Sequence, residues 1–254
     1  MLLTIDIGNT NTVVGLFNQS KLVDYFRVAS AHNLTSDEAG LLVTGLLERI
    51  NLAPSEVTKV ALGSVVPPLT SVYIAMTKRF FKLDPVVVSS KIKLPIEVKV
   101  DLPDQVGADR IANAVAAKNL YSAPAIVVDF GTATTFDVVS PEGDYVGGVI
   151  IPGPEASMAE LARKAVQLFE VELLPPPHVV GKTTSEAMQS GLFHGTIGQV
   201  DHIIDRIIAE TGYESITIIA TGGMSSGVAE HSRHLQKTAP TLTLEGLRLI
   251  AESL

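Results

Sequence analysis

The 254-residue sequence contains no cysteine. Disulfide bonds, zinc sites with thiolate ligands and catalysis by a cysteine nucleophile are therefore excluded. Clusters of lysine and arginine are also absent, and the formal net charge is −8. Because binding to nucleic-acid phosphates requires clustered positive charge, we expect no nucleic-acid partner. No uninterrupted apolar run approaches the ~20 residues that a membrane-spanning helix needs, so we expect no membrane partner.

Two common active-site motifs are missing as well. The sequence has neither a Gly-x-Ser-x-Gly nucleophile elbow nor a Gly-Lys-Ser/Thr phosphate loop, which disfavours esterases and P-loop enzymes. The N-terminus lacks a basic segment, a hydrophobic core and a cleavage site, so we expect a cytoplasmic protein. Apolar residues nevertheless make up 46% of the chain, which favours a buried interface between subunits.

A β-hairpin is predicted near the N-terminus, in the sequence LTIDIGNTNTVVGLF from Leu3 to Phe17. An apolar strand ends on Asp6, a Gly-Asn-Thr turn follows, and a β-branched strand returns. The turn glycine allows a ligand to approach the backbone, and the Asn and Thr residues offer amides and hydroxyls without adding negative charge. Such a turn suits a polyphosphate, and Asp6 would then need Mg²⁺ between its carboxylate and ATP oxygens. For this segment alone, an ordinary turn is an equal alternative.

The same pattern recurs about half a chain length later, in IVVDFGTATTFDVV from Ile126 to Val139. In this overlay Asp129 falls on Asp6, and Thr135 falls on Thr12. A third segment, ATGG at residues 220–223, follows a β-rich run and could press its backbone against a nucleoside. The three motifs resemble those of the superfamily that contains acetate and sugar kinases, heat-shock ATPases and actin, whose halves have ribonuclease H-like folds.

The duplication predicts an α/β protein with two ribonuclease H-like domains, residues 1–118 and 119–254, separated by an interlobe cleft. The C-terminal segment could pack back on the first domain. Helices are predicted at 39–50, 69–81, 108–118, 155–169 and 184–211, with a strand and helix over 241–252. Further strands are predicted at 22–28, 57–62, 86–88, 96–100, 145–151 and 215–219.

The sequence DLPDQVGADRIANAVAA, from Asp101 to Ala117, contains a second candidate for chemistry. Asp109 and Arg110 fall on the first turn of the predicted helix, just after Gly107. Helix capping alone explains an acid there, because free N–H groups and the helix dipole favour negative charge. The functional alternative is a carboxylate that accepts a hydroxyl proton beside a guanidinium that grips a carboxylate or phosphate. The helix terminus is expected to lower the pKa of Asp109, making it a weak base.

Eight segments together resemble the type III pantothenate kinases: IDIGNTNT, SVVPPL, VGADRIANAVAA, VVDFGTATTFD, GGVIIPG, MQSG, ATGG and LTLEGL. They occur in the family's order and approximate spacing and cover most of the chain. The resemblance implies that ATP phosphorylates pantothenate, the first step towards coenzyme A. It also implies a homodimer with its active sites at the subunit interface, and a requirement for Mg²⁺ and for K⁺ or NH₄⁺.

The resemblance also implies roles for individual residues. It predicts that the ATP phosphates are held by Asp6, Ile7, Gly8, Asn9, Thr10, Asn11, Thr12 and Val13, and that Thr132 touches ATP. Asp109 would accept the proton of the substrate hydroxyl, and Gly107, Ala108, Asp109 and Arg110 would line the pantothenate pocket. Thr184 would contact the substrate, and Asp129 would bind the monovalent cation.

One position departs from the family pattern. Val100 stands where the family usually has a tyrosine that helps to form the pantothenate site. Loss of the phenol removes a hydrogen bond and a flat packing surface, which could weaken substrate binding by ~1 kcal/mol or more. Two alternative functions therefore stay open: another small-molecule phosphotransferase, or a non-catalytic regulator that binds nucleotide or pantothenate.

The histidines offer a further, weaker candidate. His231 and His234 have the spacing of metal ligands on one helix face, but no carboxylate lies at a matching spacing in the sequence. Exposed histidines, or histidines with partners inside the protein, are the favoured interpretation.

Overall fold

The computed structural model describes residues 1–254, which form two compact units. The first unit comprises Met1–Leu120 and Leu242–Leu254, and the second comprises Tyr121–Thr241. None of the helices combines the length and the apolar character needed to cross a bilayer.

The first unit is built on a mixed five-stranded sheet. Its strands are β1 (Leu2–Ile7), β2 (Asn11–Asn18), β3 (Lys21–Ala29), β4 (Lys59–Ser64) and β5 (Val86–Val87), in the order β3-β2-β1-β4-β5. The first three strands are antiparallel neighbours, whereas β4 and β5 run parallel to β1. Three helices accompany them: α1 (Ser36–Arg49), α2 (Pro67–Met76), which continues as a wider turn at Thr77–Phe81, and α3 (Ala108–Leu120).

The core of the first unit lies where β1 meets the first two helices. Leu3, Ile5 and Ile7 alternate along β1 and are fully buried against a cluster that includes Val43 of α1 and Tyr73 of α2. A capping box begins α1: the Thr35 hydroxyl accepts from the Glu38 N–H, and the Glu38 carboxylate accepts from the Thr35 N–H. Burial of one sheet face therefore fixes the position of β1, the strand that ends at Asp6 and Ile7.

The second unit repeats this topology. Its elements are β6 (Ala125–Phe130), β7 (Ala133–Val139), β8 (Tyr145–Pro152), α4 (Pro154–Lys164), α5 (Thr184–Thr211), β9 (Thr217–Gly222), α6 (Ser225–Ala229) and β10 (Lys237–Thr238). The sheet order β10-β9-β6-β7-β8 matches that of the first sheet read from its opposite edge, strand for strand. The predicted duplication of an α/β fold is thereby confirmed. The last helix, α7 (Leu242–Glu252), belongs to the first unit.

Three predicted elements differ from the structure. The expected strand at 96–100 is wrong: only an isolated bridge forms, at Val98, because Ile96 alone is buried and exposed Glu97 and Lys99 flank that position. The helix expected to reach residue 169 ends at Lys164, since Val166 is exposed and further turns would have no face to bury. The expected strand before the last helix is also absent, and α7 begins directly at Leu242.

Candidate active site

The first predicted phosphate turn connects β1 to β2. The Gly8 N–H donates to the Asn11 carbonyl oxygen at 3.0 Å and closes the turn. Asn9 and Thr10 are exposed at its tip, and Asp6 is half-buried just before it. The structure therefore presents amide and hydroxyl side chains to solvent at the end of a rigid strand, with a carboxylate at the base of the turn.

Other residues of this stretch face inward. Ile7 and Thr12 are buried, and the Thr12 hydroxyl shares a 2.8 Å hydrogen bond with the Ser30 hydroxyl. Burial raises the pKa of the Tyr73 phenol, and this effect outweighs the hydrogen bond with Thr12, which acts to lower it. The side chains of Ile7 and Thr12 therefore belong to the interior of the first unit and are not presented at the tip of the turn.

The turn of the second hairpin is one residue shorter than the turn of the first. Asp6 pairs with Val13 across the first hairpin, whereas Asp129 pairs with Thr135 across the second. The sequence overlay of Thr135 on Thr12 is therefore wrong by one position. The structural counterpart of Thr12 is Thr134, which is equally buried. The two-residue turn that ends at Thr132 is exposed, and the Thr132 carbonyl oxygen accepts from the Gly153 N–H at 3.0 Å.

The ATGG segment lies beside Asp129. Gly222 ends β9, has a φ of +87°, and follows Thr221, which pairs with Asp129 of β6. A Cβ atom on Gly222 would lie 2.5 Å from the Phe130 carbonyl oxygen and 2.6 Å from the Asp129 Oδ1 atom. Only glycine can pack this closely against the carboxylate in this conformation. A carboxylate beside a main-chain carbonyl oxygen is the kind of oxygen donor pair that suits a hard cation.

The Gly-Ala-Asp-Arg turn opens α3, as predicted. The Gly107 carbonyl oxygen accepts from the Ile111 N–H at 3.1 Å, which makes Gly107 the cap of the helix. The Asp109 side chain folds back, and its Oδ1 atom accepts from the Arg110 N–H at 2.8 Å. A Cβ atom on Gly107 would lie 2.4 Å from this oxygen, so the carboxylate rests directly on the glycine.

Val65 joins this turn to the phosphate turn. Its N–H donates to the Ile7 carbonyl oxygen at 3.1 Å, and its Cγ1 atom would lie 3.3 Å from a Cβ atom on Gly107. Within the first unit, the residue that follows Asp6 and the residue that supports Asp109 therefore share a neighbour. Sequence inspection missed Val65, although it lies in the SVVPPL segment between β4 and α2.

The electrostatics of Asp109 differ from the expectation. Burial raises the pKa of its carboxyl group, and this effect outweighs the Arg110 N–H bond and the Arg110 charge, both of which act to lower it. The expected lowering of the pKa is thus wrong, because desolvation is stronger than the helix terminus. A raised pKa makes Asp109 a stronger base once it is ionised, which suits proton transfer from an alcohol.

Replacing Gly107 with alanine tests the support beneath Asp109. We expect Gly107→Ala to displace the carboxylate and to lower kcat by about 10²-fold, since an error of ~1 Å in the position of a reacting group has effects of this size. The melting temperature should change little, because the group that must move is a short side chain. Gly45→Ala is the matched control, since a Cβ atom there meets no atom within 4 Å. Equal kcat values for the two variants would contradict the supporting role of Gly107.

Thr184 begins α5 in the second unit. The Thr183 hydroxyl caps the helix by accepting from the Glu186 N–H at 3.2 Å, while Thr184 itself is exposed. Thr184 lines a cavity of 580 Å³ between α4, α5 and the end of β8, together with Met158, Leu161 and Leu192. The lining is mainly apolar. Its residues come from four separate segments of the chain, so no local sequence pattern predicts the cavity.

The histidine pair has partners inside the protein. His234 Nε2 bonds the Asp205 carboxylate at 2.7 Å, and the His231 ring packs edge-on against Phe193. Hydrogen bonding to His234 is the main influence that lowers the pKa of Asp205. No group of three or more His, Asp or Glu side chains in residues 1–254 has a metal-holding arrangement. The favoured interpretation of these histidines is confirmed, although the partner carboxylate comes from α5 and was not visible in the local spacing.

Known proteins align with almost the whole length of this chain. A family model described as type III pantothenate kinase matches residues 2–206. A type III pantothenate kinase from Myxococcus xanthus strain DK1622 is 47% identical over 250 residues, which cover 98% of this chain and 97% of the relative. A type III pantothenate kinase from Anaeromyxobacter sp. strain Fw109-5 is 46% identical over 252 residues, covering 99% of each chain.

Solved structures match the fold at low sequence identity. One is an activator of the 2-hydroxyisocaproyl-CoA dehydratase from Clostridium difficile, which was solved with bound ADPNP. Its TM-score is 0.57 at 11% identity, and the match covers 98% of this chain and 92% of that one. At this identity the likeness concerns the two-unit α/β fold alone.

Proposed function

Because the chain belongs to the type III pantothenate kinase family, we propose that it transfers the γ-phosphate of ATP to the hydroxyl group of pantothenate, with Asp109 as the proton acceptor. The observation that carries this proposal is the half-buried carboxylate of Asp109, which rests on Gly107 at the start of α3, where Val65 links Gly107 to Ile7 at the end of β1. The activity is that of a kinase in coenzyme A biosynthesis. ATP is supplied in the cytoplasm, where we expect the enzyme to act.

The proposed transfer breaks one bond to phosphorus and makes another. The pantothenate hydroxyl oxygen bonds to the γ-phosphorus as the bond to the bridging oxygen of ADP breaks, and the hydroxyl proton passes to Asp109. Such transition states are loose, so the carboxylate chiefly orients the hydroxyl and takes its proton late. Arg110, whose charge lies next to Asp109, would hold the pantothenate carboxylate or the transferred phosphoryl group.

ATP binding is proposed for both hairpins. The main-chain groups of the β1–β2 turn, with the exposed side chains of Asn9 and Thr10, would bind phosphate oxygens, and Thr132 would contribute from the second turn. Asp6 would hold Mg²⁺ directly or through water, an arrangement in which one carboxylate suffices because phosphates and water supply the other ligands. A Mg²⁺ ion held there would supply positive charge that offsets the negative charge developing during transfer.

Asp129 is the proposed ligand of a monovalent cation, K⁺ or NH₄⁺, with the Phe130 carbonyl oxygen close by. We expect exchange of K⁺ for Na⁺ to lower kcat severalfold, because a carboxylate and fixed carbonyl oxygens favour one ionic radius. The difference between the two ions should disappear in Asp129→Asn. Equal rates with Na⁺ and K⁺ in the wild-type enzyme, measured at constant ionic strength, would remove this role from Asp129.

Thr184 is the proposed contact for the pantothenate carboxylate. Its hydroxyl lies on the first turn of a 28-residue helix, where free N–H groups and the helix dipole attract an anion.

Val100, in place of the usual tyrosine, is half-buried in the loop before α3. We therefore expect Val100→Tyr to lower the KM for pantothenate and to leave the KM for ATP unchanged.

A homodimer is proposed from the apolar surface of the second unit. Val166, Phe169, Leu174, Val179 and Val180 are all exposed between α4 and α5. A surface of this kind is typical of a protein interface. We expect analytical ultracentrifugation to give twice the mass of one chain, and we expect Val180→Asp to shift the equilibrium towards monomer. Val23→Asp, at an exposed apolar position on β3, is the control and should leave the dimer unchanged. A monomeric wild-type protein would contradict the proposal.

An ADP-release assay tests the proposed function as a whole. With ATP, Mg²⁺ and K⁺ present, we expect ADP release only when pantothenate is added, together with 4′-phosphopantothenate in equal amount. Release with a different acceptor would favour another phosphotransferase. Thermal stabilisation by pantothenate or ATP without any turnover would favour a non-catalytic regulator.

A further inference from the structure

The last helix, α7, lies in the first unit and contacts both acid-bearing elements of that unit. It packs against β1, β2 and β4 and makes its most extensive contacts with α3. Leu244 and Leu247 point towards the sheet, whereas Thr243 and Gly246 point towards α3. This separation follows from the helical spacing, because residues three apart share a face. The final segment of the chain therefore lies against both the strand that ends at Asp6 and the helix that begins at Asp109.

The contact between α7 and α3 is close enough to fix the spacing of the two helices. A Cβ atom on Gly246 would lie 1.9 Å from the Ala112 carbonyl oxygen, 2.4 Å from its carbonyl carbon and 2.8 Å from its Cα atom. These are backbone atoms of a helix, so they cannot rotate away, and any side chain at this position would push α3 outwards. The Thr243 hydroxyl also donates to Asn113 Oδ1 at 2.9 Å, and Asn113 is fully buried.

The contact between α7 and the sheet is just as close. The Leu247 Cδ2 atom would lie 2.9 Å from a Cβ atom on Gly63 of β4. Gly63 is the residue that pairs with Asp6 of β1. Arg248 strengthens this attachment: it is buried, its guanidinium lies 5.5 Å from the centre of the Phe17 ring, and it forms ion pairs with Glu245 and Glu252. Helix α7 is thus held against the sheet next to the strand position of Asp6.

We propose that α7 is a positioning element for catalysis, and that Gly246 is a positioning residue that sets the place of Asp109 relative to the phosphate turn. Ala112 follows Asp109 by three residues, about one helical turn, so a displacement of α3 at Ala112 moves the Asp109 carboxylate with it. The proposal rests on the proposed role of Asp109. It assigns a function to the last thirteen residues beyond closing the core, because they hold the base where the hydroxyl and the γ-phosphate must meet.

The test compares Gly246→Ala with a variant that loses stability elsewhere. We expect Gly246→Ala to lower kcat by about 10²-fold, measured well below its melting temperature, with a much smaller change in the KM for ATP. Val139→Ala truncates a fully buried side chain of the second unit, at the end of β7 opposite Ala125 and away from the turn of that hairpin. It should lower the melting temperature while leaving kcat unchanged. A purely structural role would make kcat in both variants depend only on the fraction of folded protein.

A double variant separates this proposal from the role of Asp109. If both are right, adding Gly246→Ala to Asp109→Asn should cause no further loss of kcat, since the displaced group no longer acts. If the single variant Asp109→Asn keeps its activity, the proposed role of Asp109 is wrong. If Asp109→Asn loses activity but the single variant Gly246→Ala keeps a wild-type kcat, the positioning proposal is wrong. Should Gly246→Ala fail to fold, Thr243→Ala replaces it. A lowered kcat with an unchanged KM for ATP would then support the proposal, and a wild-type kcat would overturn it.

Discussion

Asp109→Asn should lower kcat by about 10²- to 10⁴-fold while the dissociation constant for ATP changes less than about threefold. The amide keeps the size and the hydrogen bond of the side chain but cannot accept the proton of the pantothenate hydroxyl. The ATP affinity should persist because the proposed phosphate contacts come from the β1–β2 turn. Rapid-quench measurement of product, together with calorimetric titration of ATP, gives the two quantities separately.

Asp104→Asn is the control for this result. Asp104 lies five residues earlier in the same loop, is exposed, and bonds the Ser90 hydroxyl at 2.8 Å and the Lys91 ammonium at 3.2 Å. Such surface pairs contribute little, so Asp104→Asn should keep its activity. Near-normal turnover in Asp109→Asn would show that another group accepts the proton.

The raised pKa of Asp109 gives this prediction a pH dependence. Activity requires the ionised carboxylate, so kcat/KM for pantothenate should fall as the pH drops through that raised pKa. The stability effect has the opposite direction. Since the folded protein holds this proton more tightly than the unfolded chain, the unfolding free energy falls as the pH rises above about 3.9, the unfolded value, through the raised pKa. Asp109→Asn should therefore resist urea better than the wild-type enzyme at neutral pH.

Asp6→Asn should lower kcat/KM for ATP by about 10²-fold, because a neutral amide no longer attracts Mg²⁺ to the phosphates. Raising the Mg²⁺ concentration should restore part of the loss, since the missing carboxylate weakens metal binding without removing the phosphate ligands. The fold should persist, because Asp6 is half-buried at the end of a strand whose core residues are Leu3, Ile5 and Ile7. Steady-state kinetics at several Mg²⁺ concentrations measures both effects.

Asp84→Asn is the matched surface control for Asp6→Asn. Asp84 is exposed and forms a 2.8 Å ion pair with Lys78, so its loss should change neither the ATP kinetics nor the response to Mg²⁺. If Asp6→Asn showed a wild-type KM for ATP at low Mg²⁺, the metal role of Asp6 would be excluded, and the turn would bind phosphate through its backbone and side-chain donors alone.

The elements that the sequence predicted are those whose signals are local. The hairpin at Asp6 follows from alternating β-branched residues and a glycine turn. The duplicated motif predicted two related α/β units, because a repeated sequence folds into a repeated unit, and the two sheets share one strand order. In each case, neighbouring residues carry the information.

Features that depend on tertiary packing were missed. The second hairpin is one residue shorter, so Thr134 rather than Thr135 takes the buried position, and turn length alone decides this. The pKa of Asp109 rises because distant segments bury it, although its place on the helix argued for the opposite shift. The closeness of Gly246 to Ala112 joins segments more than a hundred residues apart, and no local pattern contains it.

In the proposed mechanism, the β1–β2 turn and the start of α3 form one site for phosphoryl transfer in the first unit. The decisive experiment is a crystal structure with a non-hydrolysable ATP analogue, Mg²⁺ and pantothenate. We expect phosphate oxygens within hydrogen-bond distance of the exposed tip of the turn at Asn9 and Thr10, and the pantothenate hydroxyl about 2.6–3.2 Å from the Asp109 carboxylate. A pantothenate hydroxyl bonded to a different base, or a nucleotide that leaves the Gly8 turn untouched, would contradict it.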